Sequence, residues 1–423
     1  MSESIRITDL AEPQLSELQQ SIHAFGDTLD VHLNPSEILK EASAAVGLDD
    51  FGPQDFLVRL ELLCDEWGSD PGLNNLGKMS LRNKLLVFAK NRLLIHDLLA
   101  RHPEIHDVQI RAPIIVAGLP RSGTTHLLNL MAADSRLRAL PLWESYEPVP
   151  IPGEVLLEDG TDPRYQRCAD AWDMMQQTVP KLAAMHPMNP DHIHEELELM
   201  GPDFASYNFE WLSQCPRWRD HYYASDQTPH YEYMKTVLKI LTWQDGDDGS
   251  NTRWVLKCPQ HLEQLTVLNT VFPDATIAIT HRDPVSVIQS AVTMVAYGQR
   301  MSRNRIDLKN TVDYWSDRVV ALLEACARDH HKIADNQRID VPFHEFMADD
   351  IAMVEKIYAT AGLPMTDAAA AELQQFISDH PRGKHGRVVY NLKDDFGVEP
   401  EVLRKRFDFY FKQFPVQAET TSY

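Results

Sequence analysis

Residues 116–126 read VAGLPRSGTTH: an apolar run ends at Gly118, Gly123 follows five positions later, and two threonines open the next segment. Gly118 and Gly123 therefore have the G-x-x-x-x-G spacing of a phosphate-cradling loop, between a predicted strand and a predicted helix. Backbone N–H groups at a helix start, aided by the positive end of the helix dipole, attract an anion of any kind. Side chains must supply the selectivity. A nucleotide triphosphatase needs a lysine where Thr124 stands. Here the cation, Arg121, comes three positions earlier, and Ser122, Thr124 and Thr125 offer hydroxyls. That placement disfavours ATP hydrolysis. Taken alone, the loop also fits a plain strand-to-helix turn, with glycine for backbone freedom and threonine as a cap.

Outward from this loop, short apolar runs alternate with amphipathic segments. APIIVAG (112–118) precedes TTHLLNLMAAD, RWVLKCP (253–259) precedes HLEQLTVLNTVF, DATIAITHR (274–282) precedes PVSVIQSAVTMVAYG, and IDVPFHEF (339–346) precedes DIAMVEKIYATAG. Strand and helix in alternation predict an α/β fold, a parallel β-sheet flanked by helices around a P-loop-like turn. Ligands of such sheets lie where a strand hands over to a helix. Residues 1–107 read as a helical N-terminal extension, from the helical spacing of PSEILKEASAAVG and SLRNKLLVFAKNRLLIHDLLARH, and 108–423 as the α/β domain. A helical insertion covers about 140–250 and is rich in aromatics, including Tyr207, Phe209, Trp211, Trp218, Tyr222, Tyr223, Tyr231 and Tyr233. These read first as core and second as an acceptor pocket.

Composition narrows the function classes. A formal charge of −22 argues against a nucleic-acid partner, so an anionic ligand must be held by local clusters of Arg and Lys. No apolar run reaches the roughly 20 residues of a membrane span, and the N-terminus lacks a secretory pattern, which points to a cytoplasmic location. The five cysteines, Cys64, Cys168, Cys215, Cys258 and Cys326, are widely spaced and read as reduced.

LPRSGTT (119–125) resembles the 5′-phosphosulfate loop of sulfotransferases that use 3′-phosphoadenosine 5′-phosphosulfate (PAPS). In that family a cation, usually lysine, precedes Ser-Gly-Thr-Thr, and Arg121 takes its place. HRDPVSVIQS (281–290) sets Arg282 and Ser290 eight positions apart after a predicted strand, the separation at which the family holds the 3′-phosphate. Read without the resemblance, Arg282-Asp283-Pro284 is equally a helix start with a surface ion pair. PRGKHGR (381–387) resembles the family's C-terminal loop over the same phosphate, with Arg382 and Gly383 as the matching residues. The resemblance implies nucleotide contacts from Arg121, Ser122, Gly123, Thr124, Thr125, Arg282, Ser290, Arg382 and Gly383. The donor and acceptor would then meet in line, with Arg121 and Lys257 supplying charge.

For the base, the resemblance favours His261, since the family carries a lysine and then a catalytic histidine after the strand corresponding to RWVLKCP. Lys257 and His261 stand further apart than is usual there. Glu195 and Glu196, in MHPMNPDHIHEELELM (185–200), are the rivals. No metal is required. Glu198 stands where a zinc-binding H-E-x-x-H needs its second histidine, and DGDDGS (245–250) fails as a calcium loop because Leu256 occupies the twelfth position. The expected partner is a small-molecule acceptor, an aromatic or lipid-like alcohol suiting the insertion; the extension would also suit a homodimer. A P-loop kinase and a nonenzymatic nucleotide-binding protein of the same fold are the alternative readings.

Overall fold

The four apolar runs that the sequence offers as strands pair into one parallel sheet. The computed structural model describes residues 4–381, 384 and 386–419. Among these, the strands are β1 (Ser4–Arg6), β2 (Ile114–Gly118), β3 (Val255–Lys257), β4 (Thr276–His281), β5 (Arg338–Pro342) and β6 (Arg387–Val389). The main sheet has the order β3-β2-β4-β5, all parallel. From β2 the chain first adds β3 on one side and later β4 on the other. The order thus reverses at β2, and the crevice beyond its carboxyl end is where such a sheet binds ligands.

Side-chain alternation explains why both faces are covered. Ile115, Ala117, Leu256, Ile277 and Ile279 enter one buried cluster with residues of the helices Thr228–Gln244, Pro284–Gln299 and Leu308–Asp329. Ile114, Val116, Val255, Ala278 and Val341 enter another, with the helices Thr124–Met131 and Asp350–Thr360. A parallel strand buried on both faces reads as an unbroken apolar run, as IIVAG and TIAIT do.

Of the N-terminal helices, Glu17–Gly26, Pro35–Val46 and Asn75–Arg101 follow side-chain caps at Ser16, Asn34 and Asn74, while Phe56–Gly68 starts without one. They share a core with the insertion: Ile38, Phe56, Leu60, Trp67 and Phe88 pack with Phe204, Phe209, Trp218 and Tyr222. Buried charge reinforces the join, since Asp203 Oδ1 accepts from Arg59 and Arg92 at 3.0 Å each, while Oδ2 meets His230 Nδ1 at 2.5 Å.

Two local features depart from the sequence reading. Strand β1 lies within the stretch expected to be helical and pairs in parallel with β6. A three-residue strand has no measurable periodicity, and its partner is most of the chain away. In FGVEPEVLRKRFDFYFKQF (396–414), Leu403, Phe407, Phe411 and Phe414 fall at helical spacing and predict one docking helix, but the segment is broken into Pro400–Arg404, a 3₁₀ turn at Lys405–Phe407, and Asp408–Gln413, although Leu403, Phe407 and Phe414 are buried. The insertion's Tyr207, Phe209, Trp218, Tyr222 and Tyr231 are core residues, and Tyr223 is exposed. The five cysteines are free and buried, and no helix among the described residues is long and apolar enough to cross a membrane.

Candidate active site

Strand order places three loops side by side at the carboxyl edge of the sheet. Pairing of Val116 with Lys257 and of Gly118 with Thr280 sets the loop after β2 between the ends of β3 and β4. Gly118 is required there by space: a Cβ would lie 1.8 Å from Thr280 Oγ1. Gly123 is required by conformation, with φ +85°. Between them Arg121 is also left-handed, at φ +66°, a state that disfavours any side chain by about 1–2 kcal/mol.

The helix Thr124–Met131 starts at Gly123 without a side-chain cap, so no capping side chain satisfies its first-turn N–H groups. The helix Pro284–Gln299 differs, because Asp283 caps it by accepting from the Val285 amide at 2.9 Å. An uncapped, glycine-turned helix start is suited to an anion. Of the loop hydroxyls, Ser122 Oγ is committed within the fold, donating to the Leu119 carbonyl at 2.5 Å and lying 2.8 Å from Thr280 Oγ1. Thr124 is buried as well, its methyl under Gly118. Ser122 therefore offers an anion its backbone rather than its hydroxyl. Thr125 is half-buried, and its Oγ1 accepts from Lys257 Nζ at 3.3 Å.

On the β4 side, Arg121 and the two residues expected at the opposite end of the ligand are in contact. Arg121 Nε donates to Ser290 Oγ at 2.9 Å, and its Nη1 reaches the Met185 carbonyl. Arg282 Nη1 donates to the Arg121 carbonyl at 2.5 Å, and its guanidinium lies 4.1 Å over the Phe343 ring. Phe343, unnoticed in the sequence, lies beside both anchors, for a Cβ on Gly123 would come within 3.2 Å of the same ring. Arg382 and Gly383 lie outside the described residues.

On the β3 side, Glu195 and Glu196 flank the strand end differently. Glu195 pairs with Lys257 Nζ and keeps 12% of its side chain exposed. Burial raises its pKa above the ordinary 4.5, and the Lys257 ammonium pulls it back only in part. Glu196 is fully buried; its Oε2 accepts from the Lys257 amide at 2.8 Å and its Oε1 meets His261 Nε2 at 2.6 Å. His261 Nδ1 in turn lies 2.9 Å from the Tyr231 hydroxyl. The ring of His261, which the resemblance favours as the base, is fully buried, and each of its nitrogens lies against a partner within the fold. The cause is local. His261 sits on the 3₁₀ turn Pro259–Glu263, which Arg318 holds from beneath by a two-toothed pair with Glu263 at 2.8 and 2.6 Å.

Three histidines close this side. The rings of His186, His192 and His194 are 5.7–6.1 Å apart, and no cluster among the described residues is arranged to hold a metal ion. Burial, then the nearby positive charge of Lys257, keeps His192 neutral, its pKa lowered to about 4. The His186 pKa is likewise held well below its ordinary value, by burial first and then by its neighbours His192, Lys257 and Arg121. His194 Nδ1 is buried without a hydrogen-bond partner.

A model described as the sulfotransferase family matches residues 113–367, which include every one of these strand ends. Among solved structures, sulfotransferase STF1 from Mycobacterium tuberculosis shares 28% identity over 88% of this chain and 98% of its own, with a TM-score of 0.76. Sulfotransferase STF9 from Mycobacterium avium shares 24% over 93% of this chain and 100% of its own, with a TM-score of 0.81, a likeness of fold. No curated protein matches the chain.

Proposed function

The chain belongs to the sulfotransferase family, and from that premise we propose that it moves a sulfuryl group from PAPS to a hydroxyl or amine of a small-molecule acceptor. The observation that carries this is the juxtaposition across β3, β2 and β4. An uncapped helix start lies between a carboxylate–ammonium pair on one side and two arginines with a serine on the other. A kinase would need its lysine at position 124.

In this reading the first-turn amides of Thr124–Met131 hold the 5′-phosphosulfate, and Arg282 and Ser290 hold the 3′-phosphate. Arg382 and Gly383 are retained as further contacts to that phosphate. PAPS supplies the activated sulfur–oxygen bond. Glu195 takes the acceptor proton as the acceptor oxygen or nitrogen bonds to sulfur and the bond from sulfur to the phosphate oxygen breaks. Lys257 and Arg121 meet the charge left on that oxygen. Arg121 keeps its proton through the cycle, so it acts as a fixed charge and not as an acid. Glu196 and His261 set the position of the Lys257 strand end from behind. Since most of the insertion's aromatics are core, the acceptor is defined here by its nucleophile alone.

Thermal unfolding with 3′-phosphoadenosine 5′-phosphate tests the donor. A ligand at 100 times its Kd stabilises by about 2.7 kcal/mol, so Tm should rise with this nucleotide, stay unchanged with ATP and magnesium, and lose the rise in Arg282→Ala. A larger rise with ATP and magnesium would overturn the proposal.

A further inference from the structure

The Arg282 guanidinium, read above as the 3′-phosphate anchor, is already engaged at all three of its nitrogens. Its Nε and Nη2 donate to the Glu419 carboxylate at 2.7 and 2.9 Å, in the side-by-side geometry that a phosphate also offers, and its Nη1 is on the Arg121 carbonyl. Both partners are partly shielded, at 19% and 13% exposure. Glu419 comes from the C-terminal segment. That segment leaves the buried Phe414, which stacks on His281 at 4.5 Å, and turns back over the start of the helix Pro284–Gln299. There the Glu419 amide donates to Asp283 Oδ2 at 2.9 Å. Arg404 Nη2 spans the same carboxylate, at 2.9 Å, and the Glu419 carbonyl, at 3.3 Å.

We infer that residues 415–419 form a strap whose Glu419 carboxylate is an internal competitor for the 3′-phosphate. The inference rests on the assignment of Arg282 to that phosphate. A pair serving only to fix the helix start would be redundant, because Asp283 already caps it and Arg404 already holds Asp283. In the ligand-free chain the competent state is the fraction with Glu419 released, and the apparent Kd is the intrinsic one divided by that fraction. Nucleotide binding expels the carboxylate, and departure of the product lets it return. The remaining contacts, Glu419 amide to Asp283 and carbonyl to Arg404, are through the backbone and survive a side-chain change, so the strap stays in register.

The test is calorimetric titration of the full-length chain and of Glu419→Gln and Arg282→Gln with 3′-phosphoadenosine 5′-phosphate and with adenosine 5′-phosphate, which lacks the 3′-phosphate. Glu419→Gln should bind the bisphosphate about 2- to 5-fold more tightly, the range for releasing a partly exposed pair, with affinity for the monophosphate unchanged. Arg282→Gln should weaken the bisphosphate selectively. Loss of bisphosphate affinity in Arg282→Gln with no gain in Glu419→Gln overturns the strap alone. Bisphosphate binding that Arg282→Gln leaves intact overturns the phosphate assignment, and the strap with it. Proteolysis gives a second readout: the bisphosphate, and not the monophosphate, should speed cleavage after Phe414, and equal protection in both states would count against expulsion.

Discussion

Arg282 donates through Nη1 to the backbone carbonyl of Arg121 at 2.5 Å, and so ties the residue in the loop after β2 that has the least favourable backbone conformation to the loop after β4. The two loops are neighbours because Gly118 pairs with Thr280. A change at either arginine is therefore felt at both.

Replacing Arg121 separates strain from charge. Arg121→Gly and Arg121→Ala both remove the guanidinium and should both abolish transfer. Only glycine accepts φ +66° freely, so Arg121→Gly should be the more stable of the two by about 1 kcal/mol in urea unfolding. Equal stabilities would show that the loop relaxes once the side chain is gone.

Glu195 should set the acid limb of kcat/KM. The base form disappears as pH falls through a pKa that burial has raised above 4.5. Lys257 lowers that pKa, so Lys257→Met should move the limb to higher pH as well as slow the reaction. Glu195→Gln should abolish turnover and leave nucleotide binding intact. A limb that stays in place in Lys257→Met would remove Glu195 from the role.

His261→Ala is expected to act on stability first. It strips a partner from the buried Glu196 carboxylate and from the Tyr231 hydroxyl, a loss of about 3 kcal/mol or more on denaturant unfolding. Its effect on kcat in protein that remains folded should be smaller than that of Glu195→Gln. The opposite ranking would restore the histidine as the base.

Gly118→Ala places a methyl 1.8 Å from Thr280 Oγ1 and should destabilise by about 1–3 kcal/mol while weakening nucleotide binding. Adding Thr280→Ala removes the offending oxygen but leaves a Cβ 3.1 Å away, so rescue should be partial. Full additivity of the two single changes in unfolding experiments would deny the contact.

Asp203 joins the N-terminal helices to the insertion. Burial alone would raise its pKa, but the His230 hydrogen bond and the charges of Arg59, His230 and Arg92 outweigh it, leaving the pKa below 3.8. The stabilisation is complete above that unfolded value and is lost as pH falls through the lowered folded one. Asp203→Asn, which leaves two buried guanidinium groups short of charge, should cost about 3–5 kcal/mol and flatten the acid side of the stability curve.

Local signals carried much of the fold. IIVAG and TIAITH became the central strands β2 and β4, because a strand buried on both faces must be apolar nearly throughout, while VLK and RIDVP, which carry charge, became the edge strands β3 and β5. Strand β1 and its pairing with β6 gave no such signal, being too short for periodicity and closed only by distant contact. The break at Lys405–Phe407 was hidden too, since apolar spacing reports which side of a segment is buried and not whether its helix is continuous.

Composition and spacing by themselves pointed to the kind of ligand to expect: an anion, at a glycine-turned helix start in an otherwise acidic sequence. Tertiary structure alone decided what each polar group is free to do. Ser122 spends its hydroxyl on Thr280, His261 spends both nitrogens on Glu196 and Tyr231, and Glu419, far along the chain from Arg282, comes to rest on it. The physical reason is that a hydrogen-bonding group's availability depends on every other group that folding brings within about 3 Å of it, and sequence separation says nothing of that.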